Sequence, residues 1–317
     1  MFVSTIPGPS GPSPGSAAST AIRALLLVVL LGAVHPTRAA ASLTVAVSIP
    51  PQAWIVETIG GEHVEVEVML PPGATPATYE PRPRQMENLA RASLYFSIGA
   101  PFEKGWLPRF ASTNEAMRIV DTIEHIIRRP MVRHNNDVHS EDEGGNAGVD
   151  PHVWLAPPLV RLQAQIVRDA LIAADPDHAA AYQAGFEHAA AEINAVDAEI
   201  LEVLAEVPIE RRRFMVFHPA FGYFAESYGL EQMTIEIEGK EPAPRELREV
   251  IETARNLDVE VIFVEPQFPQ RAARVLAGEI GAGVDTLDPL KRDWPTGMRA
   301  IAATLEASLA SSSDAYP

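Results

Sequence analysis

The chain has 317 residues, an apolar fraction of 47% and a formal net charge of -17, so it is large enough for two packed domains of moderate size. The acidic charge argues against nucleic acid as a partner and favours solubility with a weak, non-specific attraction for cations. Cysteine is absent from the sequence, which excludes disulfides and thiolate metal ligands.

Residues 1–41 are expected to be a disordered leader followed by a secretory signal peptide. Residues 1–20 are rich in Pro, Ser and Gly and show no periodicity. The apolar run from Ala24 to Val34 then follows Arg23 and leads to small residues near Ala39, which is typical of a cleavage site. This run is too short to span a membrane, and no Cys follows it for lipidation. We therefore expect a free, soluble protein in the periplasm.

Residues 42–176 are predicted to form a first α/β lobe. Helix-compatible stretches alternate with short apolar strands, which indicates a parallel sheet; the predicted strands are Leu43–Ser48, Val64–Leu70, Leu94–Gly99 and Arg118–Asp121. The segment 133–148 carries His134 and His139 among acidic residues and glycines, with almost no apolar content. It is predicted to be a surface loop of this lobe.

Residues 177–207 are predicted to form one long helix that links two lobes. Between Asp177 and Glu206 there is no proline, and apolar side chains recur at spacings of three, four and seven: Tyr182, Phe186, Ile193, Val196, Ile200 and Leu204. A helix of this length exceeds what one small domain needs. We interpret it as a rigid strut, while an ordinary long helix inside one domain is the alternative that periodicity leaves open.

Residues 208–317 repeat the alternating pattern and are predicted to form a second α/β lobe. The predicted strands are Arg213–Phe217, Met233–Ile237, Val259–Glu265 and Val284–Asp288. Short connections through helices require right-handed crossovers, so these strands should be parallel or nearly so. A closing helix runs from Met298 to Leu309.

Candidate metal ligands lie where ligands bind in open α/β sheets, at the carboxyl ends of strands. His218 directly follows one strand of the second lobe, and Glu265 and Asp288 end two others. In the first lobe His152 stands in the run DPHVWL, held between Pro151 and bulky neighbours. Two imidazoles and one carboxylate suit zinc or manganese. Helix capping, salt bridges, turn formation and a hydrogen-bonded partly buried histidine are the structural alternatives.

Five segments resemble the metal-binding periplasmic proteins of zinc and manganese ABC importers, the zinc-uptake and treponemal-type substrate-binding proteins. In chain order they are PPGATPATYEPRP, DPHVWLAP, FHPAFGYFAESYGL, FVEPQF and LDPL. The resemblance implies two lobes, each with a mostly parallel sheet flanked by helices, joined by one long helix with a metal cleft between them. It implies one transported zinc or manganese ion, a membrane permease as partner, and a monomer.

The ligands implied by the resemblance are His152 in the DPH motif, His218 after the first strand of the second lobe, and Asp288 in the DP run. One position departs from the family pattern, because Ala77 stands in ATYEP where these proteins usually carry a histidine. A methyl group cannot bind a metal. We therefore expect water or Glu80 to fill the fourth position, ahead of a histidine from the loop 133–148.

Two other function classes stay open at this point. Three protein ligands with an open fourth position also describe a catalytic zinc site, so a secreted zinc-dependent hydrolase is one alternative, although the sequence has no HExxH helix. A family member with an altered site, acting as an adhesin or binding a chelated metal, is the other. We expect a transport protein rather than an enzyme, with zinc ranked before manganese.

Overall fold

The computed structural model describes residues 1–5, 7–8, 11, 42–131, 149–236, 244–268 and 270–310. The described residues between Ser42 and Ala310 belong to one compact unit. The predicted polar loop 133–148 and the predicted signal peptide core lie outside the described residues.

Eight strands and nine helices are formed by the described residues. The strands are β1 Leu43–Val47, β2 Val64–Val68, β3 Leu94–Ser97, β4 Arg118–Asp121, β5 Arg213–Val216, β6 Glu231–Thr234, β7 Val261–Val264 and β8 Gly283–Thr286. The helices are α1 Pro50–Gly60, α2 Pro83–Leu89, α3 Glu103–Thr113, α4 Pro157–Ala174, α5 Ala179–Ala205, α6 Gly222–Tyr228, α7 Pro244–Asn256, α8 Arg271–Ile280 and α9 Trp294–Ala310.

The strands form two sheets of the same topology. The first sheet has the order β2-β1-β3-β4 and the second β6-β5-β7-β8, and every pair of neighbouring strands is parallel. In both sheets the first strand of the lobe is central. The second strand is added on one side of it, and the third and fourth are added on the other side. Ligands bind at such a switch point, beyond the carboxyl ends of the strands. The relevant edges are therefore those after β1 and β3, and after β5 and β7.

The second sheet is apolar on both faces, as a parallel sheet covered by helices requires. Phe214 and Val216 of β5 contribute to the main core of the protein. Met215 and Phe217, which alternate with them, contribute to a second core with Val250 of α7. Because successive side chains of a strand point to opposite faces, the continuous apolar run RFMVF fills both cores.

The predicted fold class is confirmed: two parallel sheets are flanked by helices, and a long helix, α5, lies between them in the chain. Helix α5 has 27 residues, which is about 40 Å at 1.5 Å per residue. It packs against α1, α4 and α9. The domain boundaries 42–176, 177–207 and 208–317 stay predictions.

Gly185 is the point of closest approach between α5 and α1. A Cβ atom at this position would lie 2.3 Å from the carbonyl oxygen of Ile59, at the end of α1. The helices can therefore meet backbone to backbone only because residue 185 has no side chain. This contact places the long helix directly on the first lobe.

Two tryptophans connect the DPHVWL segment to the chain that follows β8. The indole Nε1–H of Trp154 donates to the carbonyl of Pro289 over 2.7 Å, and that of Trp294 donates to the carbonyl of Trp154 over 2.7 Å. Both side chains are buried, so each bond is shielded from water. The turn that carries His152 is thereby held against the second lobe.

Helix α6 of the second lobe makes a further connection to the first. The backbone N–H of Arg129 donates to the Tyr223 hydroxyl over 2.9 Å, and that hydroxyl lies 3.3 Å from the carbonyl of Asp150. The Arg129 guanidinium donates to the Gly222 carbonyl and pairs with Glu226. Within the described ranges no helix is both long and apolar enough to cross a bilayer.

Candidate metal centre

His152 is a buried imidazole whose orientation is set by Asp150. The Asp150 carboxylate oxygen Oδ1 accepts from the backbone N–H of His152 over 2.9 Å and from its Nδ1 over 2.7 Å. Asp150 itself is fully buried, so this carboxylate has little freedom to turn away. Burial lowers the pKa of His152, which favours the neutral imidazole despite the nearby carboxylate. With the hydrogen on Nδ1, the Nε2 lone pair is free to bind a cation.

His218 has the same arrangement in the second lobe. It stands just beyond β5, and its Nδ1 lies 2.8 Å from an oxygen of Glu236, which stands just beyond the neighbouring strand β6. Its ring stacks on Phe268, with the ring centroids 5.1 Å apart. Burial alone would lower the pKa of His218, but the hydrogen bond and charge of Glu236, with Glu265 and Asp150, outweigh it, so this pKa is raised.

The two imidazoles meet between the lobes. Nε2 of His152 lies 3.4 Å from Nε2 of His218. Two zinc–nitrogen bonds of about 2.0–2.1 Å at a tetrahedral angle place their nitrogens roughly 3.3–3.4 Å apart. Because each Nδ1 faces a carboxylate, both Nε2 lone pairs point to the same space. The spacing of 3.4 Å is compatible with a metal ion bound by both nitrogens, and also with a proton shared between them.

Glu265 is the third ionisable group at this site. It follows β7, and its Oε2 accepts from the backbone N–H of His218 over 3.3 Å. Its Oε1 is buried and has no hydrogen-bond partner. Burial raises the pKa of Glu265 to about 8, although His218 opposes the shift. The group is therefore mostly protonated at neutral pH in the metal-free protein.

A cavity of about 60 Å³ adjoins the two imidazoles. Most of its wall is apolar, including Pro76, Ala77 and Phe268, and Glu265 and Gln267 are among the other lining residues. The methyl group of Ala77 offers no donor atom on this wall. The loop between β2 and α2 thus reaches the site, and the residue it presents there cannot bind a metal.

The full ligand set expected from the sequence is not assembled in this conformation. Asp288 is half-buried, and its Oδ1 accepts from the backbone N–H of Leu290 over 2.9 Å. It does not line the cavity, although Pro289 and Leu290 beside it do. In the part of the chain that the structure describes, no group of three or more His, Asp or Glu side chains is arranged to hold a metal.

Glu80, the predicted substitute for the missing histidine, lies at the surface in this conformation, and its role as a ligand stays a prediction. Its side chain is exposed, and it does not line the cavity that Ala77 lines. Tyr79 beside it is buried and donates from its hydroxyl to Gln85. His134 and His139 lie outside the described residues.

Sequence reasoning missed the two carboxylates that orient the imidazoles. Asp150 was part of the DPH motif, and a carboxylate two residues before a histidine was the available signal. Glu236 follows β6, so the same rule of strand ends that selected His218 could have selected it. Both act through the imidazole Nδ1 atoms, a contact that sequence spacing does not reveal.

The chain is similar to known proteins over most of its length. Residues 45–308 match the family model described as the zinc-uptake complex component A, periplasmic. A crystal structure of ZnuA superposes with a TM-score of 0.78 at 37% identity, covering 84% of this chain and 99% of that one. The iron-binding protein YfeA of Yersinia pestis is 26% identical over 295 residues, 90% of this chain and 91% of its own length.

A second relative is named for a different metal. The high-affinity zinc uptake system protein ZnuA of Bacillus subtilis is 26% identical over 262 residues, which is 78% of this chain and 79% of that protein. The matches cover 91% of YfeA and 79% of the Bacillus subtilis protein, and the names of these relatives record more than one metal.

Proposed function

This chain belongs to the periplasmic zinc-uptake component A family, and we propose that it is the substrate-binding protein of a metal ABC importer. It captures one divalent transition-metal ion in the cleft and passes that ion to a membrane permease. Zinc is the first candidate and manganese the second. The periplasm is its compartment. The absence of a lipid anchor and a monomeric state stay predictions.

The observation that carries this proposal is the pair of Nε2 atoms 3.4 Å apart, one from each lobe. A metal bound by both would join the lobes, because His152 and His218 follow different sheets. The carboxylates of Asp150 and Glu236 orient the imidazoles and offset part of the ion's charge. Metal binding would thus favour a closed cleft.

Asp288 is retained as the proposed oxygen ligand. Its neighbours Pro289 and Leu290 line the cavity, and we propose that a movement of this loop brings the Asp288 carboxylate to the metal. The movement would break the hydrogen bond from the Leu290 N–H, which costs about 1 kcal/mol and is offset by a charge-assisted metal bond.

The test is a zinc and manganese titration of the metal-free protein and of single histidine variants. His152→Gln and His218→Gln should each lower affinity more than the roughly 10–100-fold that loss of a supporting carboxylate costs. His188→Gln removes an exposed imidazole from α5 and is the matched control. Equal affinity of all four proteins would refute the assignment of the site.

The same proteins also test the hydrolase alternative. Relatives in this family are named for metal binding and uptake, and we infer that this chain is also a transport protein and not an enzyme. Zinc-loaded protein should show no more ester, peptide or phosphate hydrolysis than His152→Gln. Activity that depends on His152 would contradict the inference.

A further inference from the structure

The Tyr223 hydroxyl lies inside a hydrogen-bonded pair of backbone segments next to the metal centre. Pro130 and Val149 form an antiparallel bridge, and the adjacent pair is Arg129 with Asp150. The backbone N–H of Asp150 donates to the carbonyl of Arg129 over 2.9 Å. In a regular antiparallel pair the second bond would run from the Arg129 N–H to the Asp150 carbonyl. Here both of these groups bond to the Tyr223 hydroxyl instead, over 2.9 and 3.3 Å.

The inserted hydroxyl sets the distance between the two segments. It accepts from the Arg129 N–H and donates to the Asp150 carbonyl, so it satisfies two backbone groups at once. The side chains of Tyr223 and Asp150 are buried, which shields these bonds from competing water. Without the hydroxyl, the two backbone groups would either close to a direct bond or stay unpaired. Both results disturb the backbone of Asp150.

Tyr223 is fixed to the second sheet, whereas the groups that it joins belong to the first lobe. Helix α6 is tied to β6, because the backbone N–H of Phe221 donates to Oε1 of Gln232 over 2.6 Å. The first turn of α6 also lies directly against Asp150. A Cβ atom at Gly222 would be 3.0 Å from the Asp150 Oδ2. The second lobe therefore contacts both the backbone and the carboxylate of Asp150.

We propose that Tyr223 is a positioning residue of the metal centre, which sets the place of Asp150 and through it the orientation of His152. The Asp150 carboxylate accepts from the backbone N–H and from Nδ1 of His152. A displaced Asp150 would therefore turn the His152 Nε2 away from that of His218. The first imidazole is correctly oriented only while the second lobe supplies the hydroxyl. This inference rests on the proposed metal-binding function.

The experiment compares zinc binding by the full chain and by Tyr223→Phe, which removes the hydroxyl and keeps the ring. Zinc affinity should fall by about tenfold or more, as it does when a group that orients a metal ligand is lost. Cobalt(II) loaded in place of zinc gives a visible absorption spectrum that reports ligand geometry, and this spectrum should change in Tyr223→Phe. An unchanged zinc affinity or an unchanged cobalt spectrum would overturn the positioning role.

Tyr228→Phe is the matched control on the same helix. Tyr228 is also buried, and its hydroxyl donates to Oδ1 of Asp197 on α5 over 2.7 Å. This variant loses a buried hydroxyl of α6 that has no contact with Asp150. Its zinc affinity and cobalt spectrum should match those of the unaltered chain. Equal losses of affinity in Tyr223→Phe and Tyr228→Phe would show a general effect of weakening α6 and would overturn the proposal.

The double variant Asp150→Asn, Tyr223→Phe tests whether the hydroxyl acts through Asp150. If it does, the double variant should lose little more zinc affinity than Asp150→Asn alone. Losses that multiply independently would refute this route while the metal site stands. If the unaltered chain binds neither zinc nor manganese, the proposed function itself fails, and this inference with it.

Discussion

The buried carboxyl of Glu265 predicts a specific dependence of stability on pH in the metal-free protein. Its pKa is raised from 4.5 to about 8 by burial, so the folded state holds this proton more tightly than the unfolded state. The full contribution of the Glu265 carboxyl to the free energy of unfolding is present below pH 4.5. It is lost progressively as pH rises towards 8. At pH 7 this carboxyl is ionised in the unfolded chain but mostly protonated in the folded state. The difference lowers the free energy of unfolding by about 3 kcal/mol relative to its value at low pH.

Glu265→Gln removes the titration and keeps the shape of the side chain. The free energy of unfolding of the variant should rise relative to the original by about 3 kcal/mol between pH 4.5 and pH 7. Urea unfolding in the presence of a chelator measures both proteins across this range. The change with pH is the diagnostic quantity, because any constant difference in packing between Glu and Gln cancels.

Glu62→Gln is the control for loss of a carboxylate, since Glu62 is exposed in the turn after α1. Its stability should follow the original protein across the same range. If the difference between Glu265→Gln and the original protein does not change with pH, the carboxyl is not held protonated by its surroundings. The description of Glu265 as a neutral group in the metal-free cleft would then be wrong.

Three further predictions concern the supports of the site and of the fold. Gly185→Ala should destabilise the protein by about 1–3 kcal/mol in thermal or urea unfolding, because the new Cβ would meet the α1 backbone. Gly278→Ala has open space around its Cβ and should stabilise the protein by about 0.5–1 kcal/mol in the same assay. Asp150→Asn should lower zinc affinity by about 10–100-fold in a titration while leaving the circular dichroism spectrum unchanged, since the amide no longer fixes the imidazole tautomer. Arg299→Ala removes the ion pairs from α9 to two glutamates of α5 and should lower the free energy of unfolding in urea, with a smaller loss at 1 M salt. A loss of the same size at high salt would show that the contact is not ionic.

The sequence alone determined the layout of this protein. Short apolar strands alternating with helical stretches predicted parallel sheets, and the recurrence of Tyr182, Ile193 and Val196 at helical spacing predicted the long helix that the structure has as α5. These are local patterns, because periodicity reports which face of an element is buried. The strand-end rule also selected His218, and the DPH motif selected His152, as residues of one cleft.

Only the tertiary structure decided which of the selected residues meet. His152 and His218 are 66 positions apart, and the 3.4 Å between their Nε2 atoms depends on how the two sheets are held by the tryptophan contacts. Asp288 and Glu80 were both candidates from their positions along the chain. In the structure the Asp288 carboxylate accepts from the backbone of its own turn, and the Glu80 side chain is exposed to solvent. Side-chain direction follows from burial and hydrogen bonding with distant residues, which spacing along a chain does not encode.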